Sequence, residues 1–184
     1  MINISTNRVS LNNLKHKYNQ TAERLPVRLG ATAVEYIHGN FRAQGYADKN
    51  IQKWKPRKQA DKNPRQRALL VKTGRLRRDI RVRSITQKAV TVGTSLPYAA
   101  IHNEGGTINH PGGTAFFMKD GQPVWVSNKK ASSLEATRRR RFARTKPHRI
   151  SMPQRQFMPT RRRGSHKLNS MLQRVIIQEL NKIK

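Results

Sequence analysis

The sequence predicts an α+β protein: a small antiparallel β-sheet flanked by a long N-terminal helical segment and a C-terminal helix, with a basic extended insertion. Three patterns lead there: apolar residues at helical spacing near both ends, apolar alternation between them, and a run of arginines interrupting the second half.

From Leu11 to Phe41, apolar residues recur at Leu11, Leu14, Tyr18, Ala22, Leu25, Leu29, Ala33, Ile37 and Phe41. Steps of three and four put them on one helical face. Pro26 lacks a backbone donor, so a kink or two helices are expected, with Gly45 as the stop. Residues 46–68 show no clean period and read as a loop that anchors Trp54 on the core. After Thr73-Gly74 the period changes. Ile80 and Val82, then Val90 and Val92, alternate with polar residues, as half-buried strands joined around Thr86-Gln87-Lys88 would.

Pro97 to His102 can form one helical turn, with Tyr98, Ile101 and His102 on one face and Gly105-Gly106 ending it in a left-handed conformation. A hairpin is expected from Ala115–Met118 to Val124–Val126 through Asp120-Gly121, although Pro123 weakens one strand. At the end, Ser165 can cap a helix striped by Leu168, Met171, Leu172, Val175, Ile176, Leu180 and Ile183. The domain plan is thus a single α+β domain over 1–184, an extended insertion or arm at 107–149 and a C-terminal helix at 165–184.

Composition narrows the chemistry. The 184 residues include no cysteine, which removes disulfides, thiolate metal sites and cysteine nucleophiles together. No segment has the roughly 18 consecutive apolar residues of a membrane span, and the first residues lack the pattern of a signal peptide. Assembly in a reducing cytoplasm, away from membranes, is the expectation.

His102, Glu104 and His110 do not follow a known zinc spacing, and the nine carboxylates are too scattered for a nuclease that clusters them around divalent metal. The Gly105-Gly106 and Gly112-Gly113 pairs lack the lysine and hydroxyl that complete a phosphate-binding loop. No catalytic, cofactor-binding or metal-binding residue is therefore assigned. Trp54, Tyr98, Phe116, Phe117, Trp125 and Phe157 can stack on bases, but core packing is the better reading for most of them.

Charge carries more information. Thirty-nine Lys and Arg against nine Asp and Glu give a net +30, which repels itself unless an anionic partner lies against it. The excess concentrates between Lys129 and Lys167. Arg138, Arg139, Arg140, Arg141, Arg144, Arg161, Arg162 and Arg163 are the candidate contacts to DNA or to an acidic protein.

The order of motifs resembles the phage virion morphogenesis family, also described as tail-completion proteins of Mu-like and related tailed phages. The resemblance rests on Trp54-Lys55-Pro56, Leu69-Leu70 with Thr73-Gly74-Arg75-Leu76, Val90 to Thr94, Tyr98 to Gly106, and Ile150 to Met158. Family members commonly carry proline before the last motif's phenylalanine, where this chain has Gln156. Trp54, Gly74, Tyr98, His102, Gly105, Gly106, Arg155 and Phe157 are its structural positions. Tyr98, His102 and Arg155 are expected to pack the glycine turn against Pro153 to Phe157.

The resemblance implies a non-enzymatic virion subunit at the junction between tail and head or neck. It would form a homo-oligomer, a hexameric ring, against connector or neck proteins and tail-tube or tail-terminator proteins, with double-stranded DNA in the lumen. Charge alone suggests a different reading, a general nucleic-acid-binding protein of ribosomal type.

Overall fold

The computed structural model describes residues 4–57, 68–86, 89–136 and 142–183. They fall into two compact units, residues 1–104 with 154–184, and residues 105–153.

The first unit is built on α1, Ile4–Ala43, a single 40-residue helix that contains Pro26. Two separate helices, one alternative read from Pro26, do not form. A proline at this position removes one backbone donor. Beyond it the helix is held by packing against α5, His166–Leu180, and against the hairpin of β3, Arg81–Ile85, with β4, Val90–Gly93. Gly30 permits the closest approach to that hairpin: a Cβ there would lie 2.8 Å from Val82 Cγ2.

The helix ends on Gln44, not Gly45. Gln44 takes a positive φ of 51°, and its side-chain amide donates to the Phe41 carbonyl at 2.7 Å, capping the last turn. Its side-chain oxygen accepts from the Leu69 backbone N–H. Gly45 instead opens β1, Gly45–Ala47, where a Cβ would sit 2.6 Å from the Gln52 carbonyl oxygen. β1 pairs antiparallel with β2, Ile51–Lys53, so part of the segment read as a loop is a short ladder.

The five-residue helix α2, Arg75–Asp79, follows Gly74 and buries Leu76. The β3–β4 hairpin has the expected antiparallel sense, with an irregularity between Val82 and Ser84. Ile80 lies just before β3, fully buried. Next comes α3, Ala99–Glu104. The core unites Tyr36, Ile37, Phe41, Tyr46, Trp54, Leu76, Ile80, Ala99 and Phe157. In it Phe41 sits between Trp54 at 5.6 Å and Phe157 at 5.3 Å between ring centroids.

Ser165 caps α5 as its sequence context suggests. Its hydroxyl accepts from the Leu168 N–H at 3.1 Å and donates to the Ala47 carbonyl at 2.9 Å, so one side chain starts the helix and ties it to β1. At the far end Glu179 is buried between Arg28 of α1, which donates to its carboxylate, and Lys182 at 2.6 Å. The Lys182 bond and then the Arg28 bond hold this carboxylate below its ordinary range.

The second unit carries β5, Gly106–His110, paired antiparallel with β9, His148–Met152. Beside them stands a three-stranded sheet of β7, Gln122–Val126, β6, Ala115–Lys119, and β8, Ala143–Arg144, in that order. Asp120 and Gly121, both at positive φ, make the expected turn, and Pro123 is accommodated in β7 opposite Met118. The helix α4, Asn128–Ala136, buries Ala131 completely. The sheet anticipated as one is several small antiparallel ladders.

Candidate functional site

Three side chains of the first unit converge on the backbone of residues 154–158. The Asn103 Oδ1 on α3 accepts the backbone N–H groups of Phe157 and Met158, at 2.9 and 3.0 Å. Asn40 on α1 donates to the Phe157 carbonyl at 3.0 Å and accepts from the Ala47 N–H at 3.0 Å. Trp54 donates through its indole N–H to the Gln156 carbonyl at 2.7 Å. These groups are buried, and each satisfies a main-chain atom that would otherwise be desolvated without a partner.

The same segment is tied from the other side. The Arg155 N–H donates to the His102 carbonyl at 2.9 Å, while its guanidinium donates to the carbonyls of Lys55 at 3.0 Å and Pro56 at 3.3 Å. Arg155 thus joins the end of α3, residues 55–56 and its own strand-like segment, and Phe157 drives its ring into the core with no exposed surface.

His102 stacks edge-on with Tyr98, ring centroids 6.0 Å apart, and its Nδ1 is buried without a hydrogen-bond partner. Burial, and then the charge of Arg155, push the His102 pKa below its ordinary value, so the ring is neutral near pH 7. Gly105 and Gly106 follow α3 at φ 75° and 141°, conformations that glycine adopts without steric cost. Gly74, at φ 69°, precedes α2 in the same way. Among the described residues no group of three or more His, Asp or Glu is placed to hold a metal ion. Among the described residues no helix is long and apolar enough to cross a membrane.

The basic candidates separate. Arg138, Arg139, Arg140 and Arg141 lie outside the described residues. Arg144, in the second unit, pairs with Glu135 at 2.8 Å. In the first unit Arg161 and Arg162 are exposed just before α5. Arg163 is half-buried, donates to Gln52 at 2.6 Å and lies 5.3 Å over the Tyr46 ring, a cation–π contact. The aromatic candidates separate as well. Trp54 and Phe157 are core, whereas Tyr98 and Trp125 are 39% and 58% exposed, the latter contrary to the core reading.

Asn40 and Asn103, which carry most of the clasp, escaped the sequence reading. The one available signal was position: Asn40 shares the apolar face of Ile37 and Phe41, and a short polar residue on such a face marks a buried hydrogen bond.

In this mixed α/β scaffold, Trp54, Asn103 and Arg155, each within one of the motifs, hold the 154–158 segment in place. The chain belongs to the phage virion morphogenesis family, whose model matches residues 3–177. Its role accordingly lies in the structure and assembly of a phage virion. Comparison with curated proteins and with solved structures gave no match.

Proposed function

We propose that the chain is a non-enzymatic tail-completion or head–tail joining subunit that closes a homo-oligomeric ring, six copies in the first instance, around the DNA passage at the phage neck. Family membership supplies the setting, and one structural observation carries the assembly. On α1, Leu11, Leu14 and Tyr18 are 63%, 49% and 62% exposed, an apolar stripe of helix that the described residues leave largely open.

An apolar groove of about 480 Å³ continues that face. It is lined by Leu25, Leu29, Ala33, Val92, Leu172 and Leu180, with Tyr18 at its margin. The stripe of one copy laid in the groove of the next gives a head-to-tail contact between copies, which closes into a ring when the rotation allows. The charge of +30 then has a use, because a ring around DNA sets exposed arginines such as Arg161 and Arg162 toward phosphate, or toward acidic connector, tail-tube or tail-terminator neighbours.

Light scattering on the purified chain tests this reading. A discrete oligomer that Leu14→Glu with Tyr18→Glu dissolves is the expected result. The charge excess by itself also favours a general nucleic-acid-binding protein. A monomer that binds duplex DNA or RNA tightly near physiological salt, and never enters rings or particles, would establish that reading instead.

A further inference from the structure

A cavity of about 290 Å³ in the first unit is lined by the basic Arg57, Lys72 and Arg155, by His102, and by Leu69, Leu70 and Leu76. Among the described residues no carboxylate lines it. Arg155 is 8% exposed, so a guanidinium is committed to the wall of a half-enclosed space, and the His102 Nδ1 beside it has no partner. Leu70 reaches the wall at φ 60°, a backbone conformation rare for leucine and one that structures retain where a site requires it.

We propose that this cavity is a docking pocket for a carboxylate of a partner protein, taken with an apolar group beside it. A lining that combines cations with leucines suits a ligand that is anionic at one end and apolar at the other. A nucleic-acid backbone fits less well. Its phosphates lie on the outside of a bulky polymer, without an apolar group to fill the leucine wall, whereas a chain terminus or an acidic side chain can enter a space of this size. The pocket is separate from the α1 stripe and stands whether or not the chain forms a ring.

Four probes titrated into the full chain at fixed ionic strength test this: N-acetyl-leucine, N-acetyl-glutamate N-methylamide, acetate and inorganic phosphate. The His102 ring signals, assigned with His102→Gln, are followed by NMR. A bound anion beside the imidazole raises its pKa, and the leucine or glutamate probe is expected to bind about tenfold tighter than acetate, the gain that partial burial of an apolar side chain supplies. The leucine probe winning assigns a chain terminus, and the glutamate probe winning assigns an internal acidic residue. Exposed Lys72→Ala is expected to weaken the better probe about fivefold with unchanged thermal unfolding, whereas Lys119→Ala, on the other unit, leaves it unchanged. Phosphate binding as tightly as the carboxylates, an undisturbed His102, or equal losses in both lysine variants would overturn the proposal.

Discussion

Asn103 holds Phe157 in place across 54 residues of sequence, its Oδ1 accepting the Phe157 N–H at 2.9 Å while the Phe157 ring fills the core between α1 and Trp54. The same oxygen takes the Met158 N–H at 3.0 Å. One acceptor therefore satisfies two main-chain donors where the chain re-enters the first unit.

Asn103→Leu removes that acceptor and leaves both donors without it. Stability is expected to fall by about 2–4 kcal/mol, on the scale of 1–3 kcal/mol per unsatisfied buried group. Urea denaturation of the two proteins measures this. Asn103→Asp keeps an acceptor at the same place and is expected to cost less, which separates loss of the hydrogen bonds from overpacking by the bulkier leucine.

Phe157→Ala empties a fully buried site, and large-to-small changes of this kind cost about 3–5 kcal/mol. Phe157→Leu is expected to retain more than half of that stability. A small effect of the alanine change in thermal and chemical unfolding would mean that the 154–158 segment is not the anchor described here.

Beside the Glu179 carboxylate, whose depressed pKa also makes stability fall in acid, the pH dependence has two further sources. Asp79 accepts from Thr94 at 2.6 Å and from the Ser95 N–H at 2.8 Å, and these bonds, with the Arg83 charge contributing less, hold its pKa at about 2 against an ordinary 3.8. A depressed carboxylate stabilises the fold at pH above its ordinary value, and that contribution is lost as pH falls from about 4 toward 2. His102 is depressed too, but as a base. The unfolded chain takes up the proton first, so stability begins to fall once pH drops below about 6.5. Unfolding free energies measured from pH 7.5 to 3 are expected to decline in both windows. Asp79→Asn should make the lower window shallower, the Glu179 share remaining, and His102→Gln should flatten the upper.

On α5 the two neighbours Val175 and Ile177 face opposite environments, 8% and 57% exposed. Val175→Asp is expected to destabilise the fold by several kcal/mol, about 3 or more, because it buries an unpaired charge. Ile177→Asp is expected to stay within about 0.5 kcal/mol, as exposed substitutions do. Ile176, half-buried, should fall between them. Circular dichroism melts of the three variants rank them.

Much of this architecture can be read from the chain because local physics writes it there. The stripe from Leu11 to Phe41, the Ser165 cap and the Asp120-Gly121 turn are each set by residues within a few positions of one another, and each forms as its pattern requires. What could not be read depends on distant partners. Pro26 reads locally as a break, yet α5 and the β3–β4 hairpin pack beside the helix and it continues. Gly45 reads as a stop, but its lack of a side chain is needed for the close approach of the Gln52 carbonyl. The partners of Asn40 and Asn103 are main-chain atoms 117 and 54 positions away, and although the helical face marks Asn40 as buried, no local pattern says what it bonds. The cavity beside Arg155 gathers residues from 57 to 155, so its composition becomes visible only after folding.

Cryo-electron microscopy of the assembled phage particle tests the central claim most directly. The account predicts a closed ring of this chain at the head–tail junction, with the Leu11, Leu14 and Tyr18 face of each copy covered by its neighbour. A particle that lacks the chain, or that carries it as isolated copies with that face open to solvent, would contradict it.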